Sequence, residues 1–222
     1  AIYWQQYDWY GVPVAAYYAT KKACEPIQLI YNYKDHNVYA VNEGTEKKEI
    51  IASVKVYNVK SDLIFEEVRV LESSYRNTVK AFDLNRFQGS GHFIALEITD
   101  LDGTFVTDNF YCIGAKPNEY RWNDDTWYYT PISRYTDLSF AFGQIPADVQ
   151  MVTEKIDGGY AVTLVNNSPV VAYMNVLKAK DQNGQLVVPA FWSDNFITLL
   201  PDQVKTVTCM TDRTDVNFEI ER

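Results

Sequence analysis

His36 and His92 are the only histidines in the chain, so any imidazole base must be one of these two. Nucleophilic catalysis places a Ser or Cys beside such a base, and the base is in turn held by a carboxylate. The sequence contains no Gly-x-Ser-x-Gly elbow. The local pattern puts His36 in a hairpin turn and His92 at the start of a strand, where both read as structural or surface histidines. Asp100-Leu101-Asp102-Gly103 opens like a calcium loop, but the later ligands and the closing Glu are missing. It reads as a β-hairpin turn. Asp124-Asp125 is chemically able to hold a hard cation, yet it reads as an exposed polar pair in a linker. Cys24, Cys112 and Cys209 fit no metal-ligand spacing and no disulfide framework, and read as buried small apolar residues. There is no Gly-rich phosphate loop. No catalytic, metal or cofactor residue is expected in this chain.

Glycoside hydrolysis needs two carboxylates about 5 Å or about 7–9 Å apart around a sugar-sized pocket. The 29 acidic residues offer many pairs, but the loops are short and most acids fall on strand surfaces or in turns. Asn166-Asn167-Ser168 is a formal glycosylation sequon. The remaining candidates are aromatic. Sugars stack their C–H faces on Trp and Tyr, so Trp122, Trp127, Tyr128 and Tyr129, with Trp192, are candidates for carbohydrate contact. The favoured alternative makes the same rings the interdomain glue of a rigid joint. Buried rings support the joint, and exposed rings support the sugar surface.

The bulk properties fit an ordinary folded protein. Apolar residues make up 47% and charged residues 22% of the 222, so a packed core is expected without a metal or disulfide staple. Seventeen Tyr and five Trp exceed what a core needs and favour strands and half-wet contact surfaces. The formal net charge of −9 opposes nucleic-acid binding. No polybasic stretch and no apolar run of ~20 residues calls for a membrane. The sequence opens at Ala1-Ile2-Tyr3-Trp4 with neither Met nor a signal peptide, which suggests a processed protein or a piece of something longer.

Periodicity organises the chain. Pro13 followed by Ala15, Ala16, Ala19 and Ala23 predicts one helix, which must end by Glu25 because Pro26 disfavours helical geometry before it. From Ile27 the period becomes two. Strands are expected over 27–33, 38–41, 50–58, 63–71, 79–84, 92–98 and 105–113, the signature of an immunoglobulin-like sandwich. A second series is expected over 138–142, 149–155, 160–165, 170–179, 185–188, 196–200, 205–210 and 217–220. The fold class is therefore all-β, two tandem immunoglobulin-like sandwiches behind a short helix. The expected boundaries are 1–25 for the helix, 26–115 and 134–222 for the sandwiches, and 116–133 for an aromatic linker.

Three strings resemble a known family. Ala15-Ala-Tyr-Tyr-Ala-Thr-Lys-Lys-Ala-Cys-Glu-Pro26, leading into Ile27–Tyr33, resembles a segment of family 2 glycoside hydrolases of the exo-β-D-glucosaminidase and β-mannosidase type. Asp108-Asn-Phe-Tyr111 and Thr126-Trp-Tyr-Tyr-Thr-Pro-Ile-Ser133 resemble the segment joining two C-terminal sandwiches of the same group. Ala19 stands where Gly is usual, and Cys112 where Trp is usual. The resemblance implies that 1–25 is the terminal helix of an upstream catalytic barrel, with Tyr3 and Trp4 near the substrate rim. It also implies that the catalytic glutamates lie upstream, that no cofactor is used, and that the barrel of the same polypeptide is the partner. The substrate class implies a location outside the cytoplasm, periplasmic or secreted. A stand-alone carbohydrate-binding or adhesin-like module is the alternative.

Overall fold

A computed structural model describes residues 5–142 and 145–221. Tyr3 and Trp4 lie outside them. The chain forms two compact units, Glu25–Gly143 and a second built from Ala1–Cys24 with Gln144–Arg222.

In the Glu25–Gly143 unit the alternating pattern becomes seven strands. They are β1 (Ile27–Asn32), β2 (Asn37–Asn42), β3 (Lys48–Asn58), β4 (Leu63–Ser73), β5 (Asn77–Asp83), β6 (His92–Thr99) and β7 (Phe105–Ile113). They pair as two sheets in the orders β1-β2-β5 and β4-β3-β6-β7. Every second side chain of β3, from Ile50 through Ala52 and Val54 to Val56, is fully buried, and so are Ile94 and Ile98 on β6. The antiparallel register sets Val54 opposite Leu96 and Val56 opposite Ile94. A slip of one residue would turn this entire row to solvent, so the apolar pattern fixes the pairing. Polar turns close the hairpins. Asn32 and Asp35 accept backbone N–H groups two residues on, and Gly103 supplies the positive φ of 86° in the Asp100–Gly103 turn.

The stretch expected to be a linker is built differently. Its backbone forms a small hairpin, β8 (Glu119–Tyr120) with β9 (Ile132–Arg134), and one 3-10 turn at Trp122–Asp124. The compact unit runs on to Gly143, past the boundary expected after 133. Residues 138–142, expected as a strand, instead make a 3-10 turn over Ser139–Ala141. Asp137 Oδ1 accepts the Ser139 N–H at 2.9 Å and starts the turn, and Phe140 then packs on Phe93 at 5.2 Å. Local capping overrides the alternation there.

The other unit contains α1 (Ala15–Ala23) and β10 (Val149–Ile156), β11 (Gly159–Asn166), β12 (Ala172–Lys180), β13 (Phe191–Trp192), β14 (Ile197–Leu199), β15 (Val204–Met210) and β16 (Asn217–Glu221). Its sheets run β10-β11-β15-β13 and β14-β12-β16. The strand expected over 185–188 is reduced to one bridge, Lys180 with Leu186, because Pro189 follows and has no N–H to extend a ladder. The helix is part of this unit's core. Tyr18 is 3% exposed and clusters with Val162, Trp192 and Cys209. Lys21 Nζ donates to Ser193 O at 2.6 Å, and Lys22 Nζ pairs with Asp194 at 3.2 Å. Lys205 meets the same Asp194 carboxylate at 2.9 Å. The two lysines also sit in the last turn, where the helix dipole favours cations.

Candidate functional site

Most of the residues singled out for chemistry have structural duties. The Asp100 and Asp102 pair closes the β6–β7 hairpin, with Asp102 Oδ1 accepting the Thr104 N–H at 2.9 Å. Asp124 faces Arg121 at 3.4 Å, and Asp125 Oδ1 accepts the Thr130 hydroxyl. The sequon Asn166 is fully buried, so no glycan reaches it. Its amide donates to Val170 O and Leu200 O, and its Oδ1 accepts from Ser168. Of the three cysteines only Cys209 is buried. Cys112 is half-buried and Cys24 exposed, which corrects the expectation of three core thiols. Burial pushes the Cys112 thiol up to about 12 and Cys209 up to about 11, which makes both poor nucleophiles. Among the described residues no cluster of His, Cys, Asp or Glu is arranged to hold a metal.

A glycosidase acid needs a carboxyl whose pKa is raised. Six carboxyls, Asp35, Asp83, Asp102, Asp137, Asp215 and Glu221, move the other way. Tyr39 donates to Asp35, Lys80 to Asp83, Arg213 to Asp215 and Lys178 to Glu221, and each lowers its partner. Asp102 and Asp137 are lowered by turn N–H and hydroxyl donors. These are ionised caps and surface partners, not proton donors.

Four of the candidate aromatics are exposed. Trp127 is 86% and Trp122 69% exposed, with Tyr128 and Tyr129 also exposed. They ride the loop between β8 and β9, which closes on itself through Arg121 N–H to Pro131 O and Thr126 N–H to Tyr129 O. Because the loop bonds its own backbone, its rings are left outward. Trp122 packs on Tyr120 at 5.2 Å and Trp127 on Tyr128 at 5.0 Å. Trp192 does not join them. It is buried in the other unit against Phe218.

A groove of about 750 Å³ in the Glu25–Gly143 unit gathers residues that the linear pattern kept apart. Both histidines line it. Tyr31 Oη and His36 Nδ1 lie 2.6 Å apart, and His92 Nδ1 donates to Ser90 O at 2.8 Å. This tautomer leaves His92 Nε2 as a buried acceptor with no partner. Burial lowers the His92 pKa and raises Tyr31 to about 12, so both are neutral at pH 7. Tyr33 and Tyr120 stand on the rim, 65% and 43% exposed. Sequence alone gave no sign of the groove, since its walls come from β1, β7, the 85–92 segment and the 114–138 strap.

Comparison with known proteins places this architecture. Residues 127–221 match the family model described as the exo-β-D-glucosaminidase Ig-fold domain. This part of the chain is similar to that domain. Similarity to whole proteins extends over the sandwich before it as well. An exo-β-D-glucosaminidase of Hypocrea jecorina is 28% identical over 91% of this chain and 24% of its own length. Another, of Streptomyces avermitilis, is 28% identical over the whole chain and 26% of its own length. Among solved structures, the exo-chitosanase CsxA of Amycolatopsis orientalis superposes with a TM-score of 0.87 at 26% identity, over 98% of this chain and 28% of that one. The β-D-mannosidase of Dictyoglomus thermophilum, at 17% identity and a TM-score of 0.66, shares the fold. The chain thus spans about a quarter of the length of the curated relatives it matches, and it corresponds to their Ig-fold accessory part. In those relatives the region is one portion of a much longer polypeptide.

Proposed function

We propose that this chain is the non-catalytic accessory region of a longer glycoside hydrolase that removes β-linked glucosamine from chain ends, with an upstream catalytic barrel in the same polypeptide as its partner. The observation that carries this reading is the alignment of 91–100% of the chain with about a quarter of several exo-β-D-glucosaminidases. The carboxylates are in keeping with it: Asp35, Asp83 and Asp215 are held ionised by their donors, which suits none of them to a general acid. The role of the region is to complete and brace the catalytic body. Trp9 and Tyr10, 94% and 72% exposed in the segment before α1, supply the kind of apolar surface that a neighbouring domain covers. No cofactor is needed for a retaining double displacement. A polymeric substrate places the enzyme outside the cytoplasm, and the net charge of −9 argues against a nucleic-acid partner.

The test is glucosamine release from chitosan oligomers by the longer polypeptide and by this chain alone. Release by the long form only is expected. Release by this chain alone sinks the accessory reading. A long form that frees mannose and no glucosamine corrects the parent activity. The second reading, a carbohydrate-binding module, is favoured by one observation, the exposure of Trp122 and Trp127.

A further inference from the structure

We propose that the groove in the Glu25–Gly143 unit is a saccharide-binding site for an uncharged pyranose, walled by Tyr33 and Tyr120 above the Tyr31–His36 pair. Its volume of about 750 Å³ falls in the range of about 300–1,000 Å³ typical of small-molecule sites. The rings on its rim are held in place before any ligand arrives. Tyr33 is 65% exposed, yet its ring meets Tyr31 at 5.2 Å and Tyr111 at 6.2 Å, both near edge-on. Tyr111 is itself fixed, its hydroxyl accepting from Asn109 Nδ2 at 3.0 Å and from the Tyr31 N–H at 3.2 Å. On the other rim Tyr120 packs against Trp122 and is approached by Asn118 Nδ2 at 3.4 Å. Asn118 is clamped by the Thr136 N–H on its Oδ1 at 2.7 Å. An exposed aromatic face whose edges are already packed loses little freedom when a flat, C–H-rich sugar face stacks on it.

The polar groups fix the class of sugar. The lining holds tyrosine hydroxyls, an imidazole pair and amides, and no Asp, Glu, Lys or Arg among the described residues. A cationic amine or a phosphate would be stripped of water there without a counter-charge. Hydroxyls and N-acetyl groups meet donors and acceptors instead. The unpartnered Nε2 of His92, 2% exposed in the groove wall, is an acceptor of the kind that a ligand hydroxyl satisfies. This site is separate from the β8–β9 loop tip, since Trp127 does not line it. It does not rest on the activity proposed for the longer polypeptide.

The test is calorimetric titration of this chain with fully N-acetylated chitotriose and, separately, with its fully de-acetylated counterpart at pH 6. The neutral trimer is expected to bind, and the cationic trimer at least about tenfold more weakly. Tyr33→Ala and Tyr120→Ala should each lower affinity for the neutral trimer about tenfold, the loss expected for one stacked ring. Trp127→Ala should stay within about twofold. Unchanged thermal midpoints establish that the variants are folded. Tighter binding of the cationic trimer, a loss on Trp127→Ala with Tyr33→Ala unaffected, or no binding of the neutral trimer would each overturn the proposal.

Discussion

Replacing Asn166 with Ala tests whether the sequon is a buried brace. Asn166 is fully buried, and its Nδ2 donates to Val170 O at 2.8 Å and Leu200 O at 2.9 Å, with Leu199 O at 3.4 Å. Its Oδ1 accepts the Ser168 hydroxyl at 2.5 Å and the Ser168 N–H at 3.2 Å. Alanine leaves two well-aligned carbonyls and the Ser168 donors without their partner. An orphaned buried polar group costs about 1–3 kcal/mol, so the loss sums to about 2–4 kcal/mol. With a urea dependence of about 1–3 kcal/mol per molar, the midpoint should fall by about 1–2 M. Trp192, 8% exposed, reports on this unit, because its emission shifts to the red as the core opens. Asn167→Ala at the exposed neighbour is the control and should move stability by no more than about 0.5 kcal/mol. If Asn166→Ala shifts the midpoint no more than Asn167→Ala, or if secretion from a eukaryotic host adds a glycan to Asn166, the brace is refuted.

Three further outcomes follow from the same geometry. Tyr18→Ala should destabilise the unit containing α1 by about 3–5 kcal/mol, read by the same Trp192 emission, because a 3%-exposed ring leaves a core. Gly114→Ala should cost the Glu25–Gly143 unit about 1–3 kcal/mol in thermal unfolding, since an added Cβ would sit 2.0 Å from Thr136 Oγ1 and 2.8 Å from Asp137 O. Burial holds the His92 pKa below its unfolded value, so the unfolded chain takes up that proton first as pH falls. The stabilising contribution is therefore complete above about pH 6.5 and declines below it. His92→Leu should flatten that part of the stability–pH curve of the Glu25–Gly143 unit.

The sequence made the sheets legible because their pattern is strict. Alternation through Ile50, Ala52, Val54 and Val56 leaves one register that buries every apolar side chain. It misled where a local hydrogen bond or a proline outweighs alternation, as Asp137 does at Ser139–Ala141 and Pro189 does after Val188. The aromatic loop was legible as composition but not as orientation. Whether Trp127 points in or out depends on Thr126 and Tyr129 bonding within the loop, a three-residue detail below the resolution of any periodicity. The groove was invisible because Tyr33, His92 and Tyr120 meet only through tertiary folding. The helix was found where expected, but its anchor on Ser193 and Asp194 lies far along the chain and leaves no local trace.

That anchor dictates an order of events on the ribosome. Tyr18, Lys21 and Lys22 emerge early, while the residues that receive them lie beyond the whole of the intervening sandwich. At a synthesis rate of about 5–20 residues per second, the 172 positions from Lys21 to Ser193 impose a wait of about 9–34 s. The Glu25–Gly143 unit has all its strands contiguous and completes first. Throughout that interval Tyr18, the buried residue of the helix, is without the core it joins in the folded unit. A nonsense mutation between Gly143 and Val162 would leave the strands of the Glu25–Gly143 unit complete while Tyr18, Lys21 and Lys22 lack the residues that receive them.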